Sequence, residues 1–290
     1  MGYNKIQMMN LDKKISKKQI LKDINLECQK GKITGIIGPN GSGKSSLFKV
    51  LSGLWDYNSG KVLFDDLELS ENEQNIISNI GSFIESPNLY EDLTARQNCE
   101  LLLEFHNISD LTWYNHLINL FEMEEFMDIK VKKYSLGMKQ KVGIVLSLIA
   151  NPDIIILDEP TNSLDVTSVK RFHDLLKSIK DEKIIIISSH ILEELDSLCD
   201  EIYLINSGTL VNRSQEEVKI TYIVEFNDNL PKDIILKSVQ NVERISNNTI
   251  RFECVKLNDF LDEIRNFNLE IKNIDKESAA TTLFNKGMSN

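Results

Sequence analysis

The chain has 290 residues, 41% hydrophobic and 27% charged, with a formal charge of -11. That composition fits an ordinary globular protein with one large domain, or one large domain and a small companion. No basic block stands out, so nucleic acid is not an expected partner, and no run approaches the ~18 apolar residues of a membrane-spanning helix.

The N-terminus shows no signal-peptide core, and Ile6 stands where a myristoylation site needs Ser or Thr. Cys28, Cys99, Cys199 and Cys254 are scattered, which argues against a disulfide framework or a zinc site and for a reducing cytosol.

Residues 1 to 37 alternate short apolar and polar stretches and read as strands. The run Ile33 to Ile37 meets Gly38-Pro39-Asn40-Gly41-Ser42-Gly43-Lys44-Ser45, and a helix-like run, Ser46 to Leu54, follows. This is the Walker A pattern in its strand-loop-helix setting. The glycines let the backbone turn its N–H groups to a phosphate, and the helix N-terminus adds partial positive charge. ATP is expected along Gly38 to Ser46, with Lys44 on the β- and γ-phosphates and Ser45 on Mg²⁺. The bland alternative is a Gly-rich turn that binds nothing.

Residues 60 to 69 and 80 to 84 read as further strands, and Asn88 to Ala150 as helical. Residues 153 to 190 return to a strand, a helix around Val166 to Ile179, and a strand. Fully apolar strands joined by helices imply a parallel sheet covered on both faces. Beyond about Arg213 the chain turns more polar. There Tyr222 to Phe226 reads as a strand and Asp233 to Val239 as a helix. Val242 to Ile245 and Thr249 to Val255 read as a hairpin, Leu257 to Phe267 as a helix and Leu269 to Ile274 as a strand. That order is the ferredoxin-like one.

A Walker A loop does not by itself choose among kinases, GTPases and ATPases. The strand Ile154 to Leu157 ends in Asp158-Glu159. Asp158 is placed to share Mg²⁺ with Ser45, and Glu159 to polarise an attacking water. Ahead of them lies Tyr134-Ser135-Leu136-Gly137-Met138-Lys139-Gln140. In position and in part in sequence it resembles the signature motif of ATP-binding-cassette proteins, Leu-Ser-Gly-Gly-Gln, keeping Ser135 and Gly137. Ser163-Leu164-Asp165 resembles the loop that couples two ATP sites, and His190 the switch histidine at the γ-phosphate. His106, His116 and His173 lack such a setting and read as surface or core residues.

The chain thus resembles the nucleotide-binding subunit of an ABC transporter over residues 1 to 212. The resemblance implies an α/β P-loop domain at 1–212, with a RecA-like mixed-sheet core and a helical subdomain at about 86–150. A small α+β accessory domain follows at 213–290. It further implies an ATPase using ATP and Mg²⁺, with Glu159 and His190 catalytic and Ser135 and Gly137 contacting the γ-phosphate of the other subunit. A homodimer, or a heterodimer with a related ATPase, would work with a separate transmembrane permease at the cytoplasmic face of the membrane. The helices at 86–133 would receive the permease.

Two departures matter. Counting back from the phosphate loop puts Ile15 where the family stacks an aromatic ring on adenine, with Tyr3 as an early substitute. Glu85, in Ile80-Gly-Ser-Phe-Ile-Glu85-Ser-Pro, stands where a glutamine usually contacts Mg²⁺ and water. A carboxylate suits that hard cation, so Glu85 joins Ser45 and Asp158 as an expected metal ligand. With the Ser-Leu-Gly-Met signature, it resembles Gram-positive transporters for bacitracin and lantibiotic protection and for export of cytolytic peptides. The alternatives are an exporter of a drug, ion or polysaccharide, a soluble ABC ATPase in translation or DNA repair, and a cassette that binds ATP but hydrolyses little. The repair members insert a long coiled coil and the translation factors carry two cassettes; this chain shows one cassette and no long heptad run.

Overall fold

The computed structural model describes residues 2–212, 220–231, 236–254, 257–267 and 269–276. Two compact units emerge, Met1–Asn212 and Arg213–Asn290.

The first unit opens with a hairpin, β1 (Lys5–Ile15) and β2 (Lys18–Gln29). β3 (Ile33–Ile37) runs straight into the phosphate loop and α1 (Lys44–Leu51). β4 (Ser59–Phe64), the two-residue β5 (Leu67–Glu68), α2 (Leu69–Ile77) and β6 (Ile80–Phe83) follow. The helical part holds α3 (Ala95–Phe105), α4 (Thr112–Leu120) and α5 (Leu136–Leu148). β7 (Ile154–Asp158), α6 (Val166–Ile179), β8 (Ile184–Ser189) and α7 (Leu192–Leu198) complete the interior. β9 (Glu201–Asn206) and β10 (Thr209–Asn212) close the unit.

These strands form two sheets. One is antiparallel, in the order β2-β1-β4-β5; the other runs β10-β9-β3-β8-β7-β6 and is parallel except at β10. β3, β7 and β8 are buried at every residue, which only a sheet covered on both faces permits. α1 joins the two layers: Leu47, Phe48, Val50 and Leu51 are all buried, in one core with Ile24 and Phe64 of the antiparallel sheet and Ile156 and Ile186 of the other. Each such side chain contributes about 1.5–3 kcal/mol. The phosphate-loop helix is therefore held on opposite sides.

Two sequence expectations change here. The strands before the phosphate loop split: β3 enters the parallel sheet, but β1 and β2 pair with β4 in a separate one. Residues 88–94 are not helical; buried Asn98 holds them by accepting from Tyr90 N–H at 2.9 Å and donating to the Tyr90 carbonyl at 3.2 Å. α3 is then capped by Thr94, whose side chain forms a capping box with Gln97. On α3, Leu101 and Phe105 face solvent, and Cys99 and Leu103 supply the buried face.

The second unit holds β11 (Ile220–Phe226), β12 (Gln240–Arg244), β13 (Thr249–Cys254), α8 (Leu257–Asn266) and β14 (Ile271–Lys276). Its antiparallel order, β12-β13-β11-β14, is the ferredoxin-like one. The core is aromatic, with Phe226, Phe252 and Phe260 fully buried. Asp233 to Ile235 of the helix expected at Asp233 to Val239 lie outside the described residues, and residues 236–239 are irregular.

Candidate functional site

Strand register builds the site. Ile36 pairs with Ser188, Ser188 with Asp158, and Leu157 with Phe83. The ends of four parallel strands therefore lie along one edge, where an open α/β sheet presents its ligand crevice. Gly38, Glu85, Glu159 and His190 all leave the sheet within two residues of that row.

The phosphate loop is shaped for an anion. Gly41 and Gly43 take φ of 80° and 117°, a region that favours glycine. Gly38 is buried, Pro39 partly so, and Asn40 and Gly41 are exposed. α1 begins without any side-chain cap, so its first N–H groups point into the loop. The Ser42 hydroxyl is buried there with no hydrogen-bond partner. Ser45 and Ser46 sit half-buried in the first turn.

Lys44 is the electrostatic centre. It is 5% exposed, donates to the Gly38 carbonyl at 2.7 Å and pairs with Glu159 at 3.0 Å. Glu159 sits at φ 47°, a left-handed turn that aims its side chain back at the loop. Its other oxygen accepts from Asn162 at 2.7 Å and lies 3.1 Å from His190 Nδ1. Burial pushes the Glu159 carboxyl upward, but the Lys44 and Asn162 hydrogen bonds, the Lys44 charge and His190 more than offset it. The group is held ionised, below the usual carboxylate range. Buried Asp158 accepts from the Ser188 hydroxyl at 2.6 Å, and Ser188 also accepts from Glu159 N–H at 3.0 Å. One serine thus spaces both acids.

Glu85 leaves the same edge at φ 62°, is 58% exposed and pairs with Lys49 at 2.6 Å. Lys49 in turn lies 4.7 Å from the centre of the Trp55 ring. Ser135 caps α5, accepting from Met138 N–H at 3.3 Å, and is exposed. A Cβ on Gly137 would come within 2.6 Å of the Ser163 carbonyl, so a side chain there would force the backbone to shift.

Of the two residues considered for the base, Ile15 is exposed and Tyr3 is buried. Ile15 ends β1 opposite Lys18, 43% exposed. Tyr3 is a core residue, edge-on to Phe64 at 5.8 Å, so it offers no free face to a base. Sequence reasoning missed Ser188, Asn162 and Gln140. Buried Gln140 donates to the Pro160 carbonyl at 2.8 Å and the Glu159 carbonyl at 3.3 Å. Serine and asparagine beside turns carry no distinctive spacing; only the apolar strand around Ser188 hinted that its hydroxyl is buried. His116 stacks on Trp113, and His106 is exposed beside Phe105.

The family described as "ABC transporter" matches residues 21–162. A lantibiotic transport ATP-binding protein, SrtF of Streptococcus pyogenes, is 35% identical over 249 residues, covering 86% of this chain and 98% of that protein. The bacitracin transport ATP-binding protein BcrA of Bacillus licheniformis is 32% identical over 224 residues, covering 77% and 72%. A solved dimer of the cassette MJ0796 in a post-hydrolysis state with ADP and Pi superposes with a TM-score of 0.64 at 26% identity, covering 71% of this chain and 96% of that one.

Proposed function

The chain belongs to the ABC transporter family as an ATP-binding, ATP-hydrolysing subunit, and we propose that it powers export of antimicrobial or cytolytic peptides through a separate membrane subunit. The observation that carries the ATPase chemistry is the convergence of Lys44, Glu159 and His190 on one strand edge. The cargo reading is supported by the relatives named for lantibiotic and bacitracin transport.

In this reading the triphosphate lies along Gly38 to Ser46. The uncapped start of α1 and the Lys44 ammonium receive its charge. Glu159, kept ionised, takes the proton of the attacking water, and His190 meets the γ-phosphate beside it. The residues fit Mg²⁺: α1 packs against β7, so the Ser45 hydroxyl and the Asp158 carboxylate are hard oxygen donors on adjoining elements. Mg²⁺ would supply charge neutralisation between the β- and γ-phosphates. Among the described residues no cage of three or more His, Cys, Asp or Glu forms, consistent with an ion that keeps waters and phosphate oxygens. Glu85 is the third candidate ligand, on leaving Lys49.

Family ATP-binding subunits work with membrane permeases, and the related cassette is dimeric. We place the partner's Ser135 and Gly137 opposite the phosphate loop, in a homodimer or with a related ATPase. No described helix is long and apolar enough to cross a membrane. A groove lined by Leu54, Ile84, Pro87, Leu102, His106 and Leu146 is the proposed seat of the permease, at the inner membrane face.

The test is an ATPase assay with the permease present, together with a peptide panel. Glu159→Gln should bind ATP, lose turnover by about 100-fold or more, and accumulate as a dimer. Cells lacking the protein should lose tolerance to, or accumulate, an amphipathic or cyclic peptide. Near-normal turnover by the variant would remove Glu159 as base; a defect confined to a sugar or ion would move the cargo.

A further inference from the structure

Glu194 on α7 is a carboxylate that the ATPase reading does not use, and it is almost fully buried, with its side chain 10% exposed. One oxygen accepts from the Ser189 hydroxyl at 2.7 Å; the other lies 3.2 Å from His173 Nε2 on α6. Ser189 Oγ in turn accepts from Ile191 N–H at 3.0 Å. The Ser189 side chain therefore bridges over His190 and fixes the backbone step that presents it. His190 then stands 3.1 Å from Glu159.

Resting on the reading of Glu159 and His190 as the catalytic pair, we propose that Glu194 is a positioning residue for ATP hydrolysis. Its carboxylate fixes the turn after β8 through Ser189, and so sets where His190 stands relative to Glu159. His173 braces the carboxylate from α6.

Two physical arguments separate this from plain packing. A buried charge is a poor means of stabilising a fold, because desolvation consumes most of the gain, and an apolar side chain of similar volume often does as well. Here the charge is kept, and it holds Ser189, the residue directly before His190. Burial pushes its carboxyl upward, yet hydrogen bonding with His173 and Ser189 helps keep it below the usual range, so it is an ionised partner for both. A carboxylate has lone pairs enough for that task.

The experiment compares Glu194→Ala, Glu194→Gln and Ser189→Ala in the full chain. It measures kcat and KM for ATP and the melting temperature. Glu194→Ala should lower kcat about 10-fold, equivalent to roughly 1.4 kcal/mol in the barrier, with KM within about 2-fold. Glu194→Gln keeps an acceptor for Ser189 and should recover most of the rate. Ser189→Ala should reproduce the kcat loss with the charge in place, and it decides the matter if Glu194→Ala does not fold. Unchanged kcat in Ser189→Ala overturns the proposal. So does a kcat loss in all three variants that tracks a falling melting temperature, since the carboxylate would then be structural. Full activity in Glu159→Gln and His190→Ala would instead sink the catalytic pair.

Discussion

At residue scale, Glu85 has a partner the sequence did not suggest. Its side chain is exposed where it pairs with Lys49, and solvent-exposed pairs contribute only about 0–1 kcal/mol, so it exchanges readily. A carboxylate leaving the strand edge beside Glu159 can therefore trade Lys49 for Mg²⁺ or water. Glu85→Ala should cut turnover by about 10-fold or more, while Glu85→Gln, which keeps the size and the acceptor, should retain more. Both matching wild type at saturating Mg²⁺ and ATP would leave Glu85 a surface group. Asp165 gives a second residue-level prediction. It caps α6, accepting from Ser168 N–H at 2.9 Å and Ser168 Oγ at 2.6 Å, and these bonds pull its carboxyl down to about 2. A depressed folded value means stability that is present above the ordinary aspartate range and lost as pH falls through about 2. Asp165→Ala should therefore lower stability by about 1 kcal/mol at neutral pH. The gap to wild type should narrow below about pH 4. The side chain is 60% exposed, so solvent screening keeps the charge part of this small. Urea melts across pH decide it; a gap that is flat with pH would rule out the charge.

At element scale, α5 carries Ser135 and Gly137 at its start, and three contacts fasten that start to the segment after β7. Gly137 abuts the Ser163 carbonyl, Gln140 holds the carbonyls of Glu159 and Pro160, and Lys141 lies 3.5 Å from Asp165. The glycine is thus required for packing within the subunit as well as for the role its family resemblance implies. Gly137→Ala should strain this contact by about 1–3 kcal/mol and lower turnover, with ATP binding at Lys44 preserved. Calorimetry of ATP binding beside the rate checks it; normal turnover would show that the carbonyl yields. Elements of this kind differed in how legible they were. β7, α6 and β8 were readable because unbroken isoleucine runs and an amphipathic helix leave little choice. α2 was not, since Leu69–Ile77 is mostly polar and kinks at Asn72. Nor did β1 and β2 announce their separate sheet, because strand partners are chosen by distant β4. The phosphate loop and the Asp158-Glu159 pair were legible as contiguous motifs. Ser188, Asn162 and Glu194 were not, because their roles exist only once the turns after β7 and β8 are side by side.

At the scale of the whole molecule, the division into two units bears on what the ATP site needs. Each residue assigned to nucleotide or metal lies between Ile15 and His190, and its partners named above lie within residues 1–212. The first unit has its own core around α1, with two sheets and, among the described residues, no strand borrowed from beyond Asn212. A unit of this size buries enough apolar surface to stand alone. The second unit has a separate core of Phe226, Phe252 and Phe260 and its own four-stranded sheet. We therefore expect a chain ending at residue 212 to fold cooperatively and to bind ATP within about 3-fold of the full chain. Its turnover is read in the same assay, and a loss there with binding intact would assign residues 213–290 to dimer contact or regulation. A truncated chain that is soluble and folded by circular dichroism yet fails to bind ATP would show that the second unit completes the site. Binding depends on the phosphate loop, Lys44 and the strand edge, all held from both sides by α1's packing, and none of those contacts crosses residue 212.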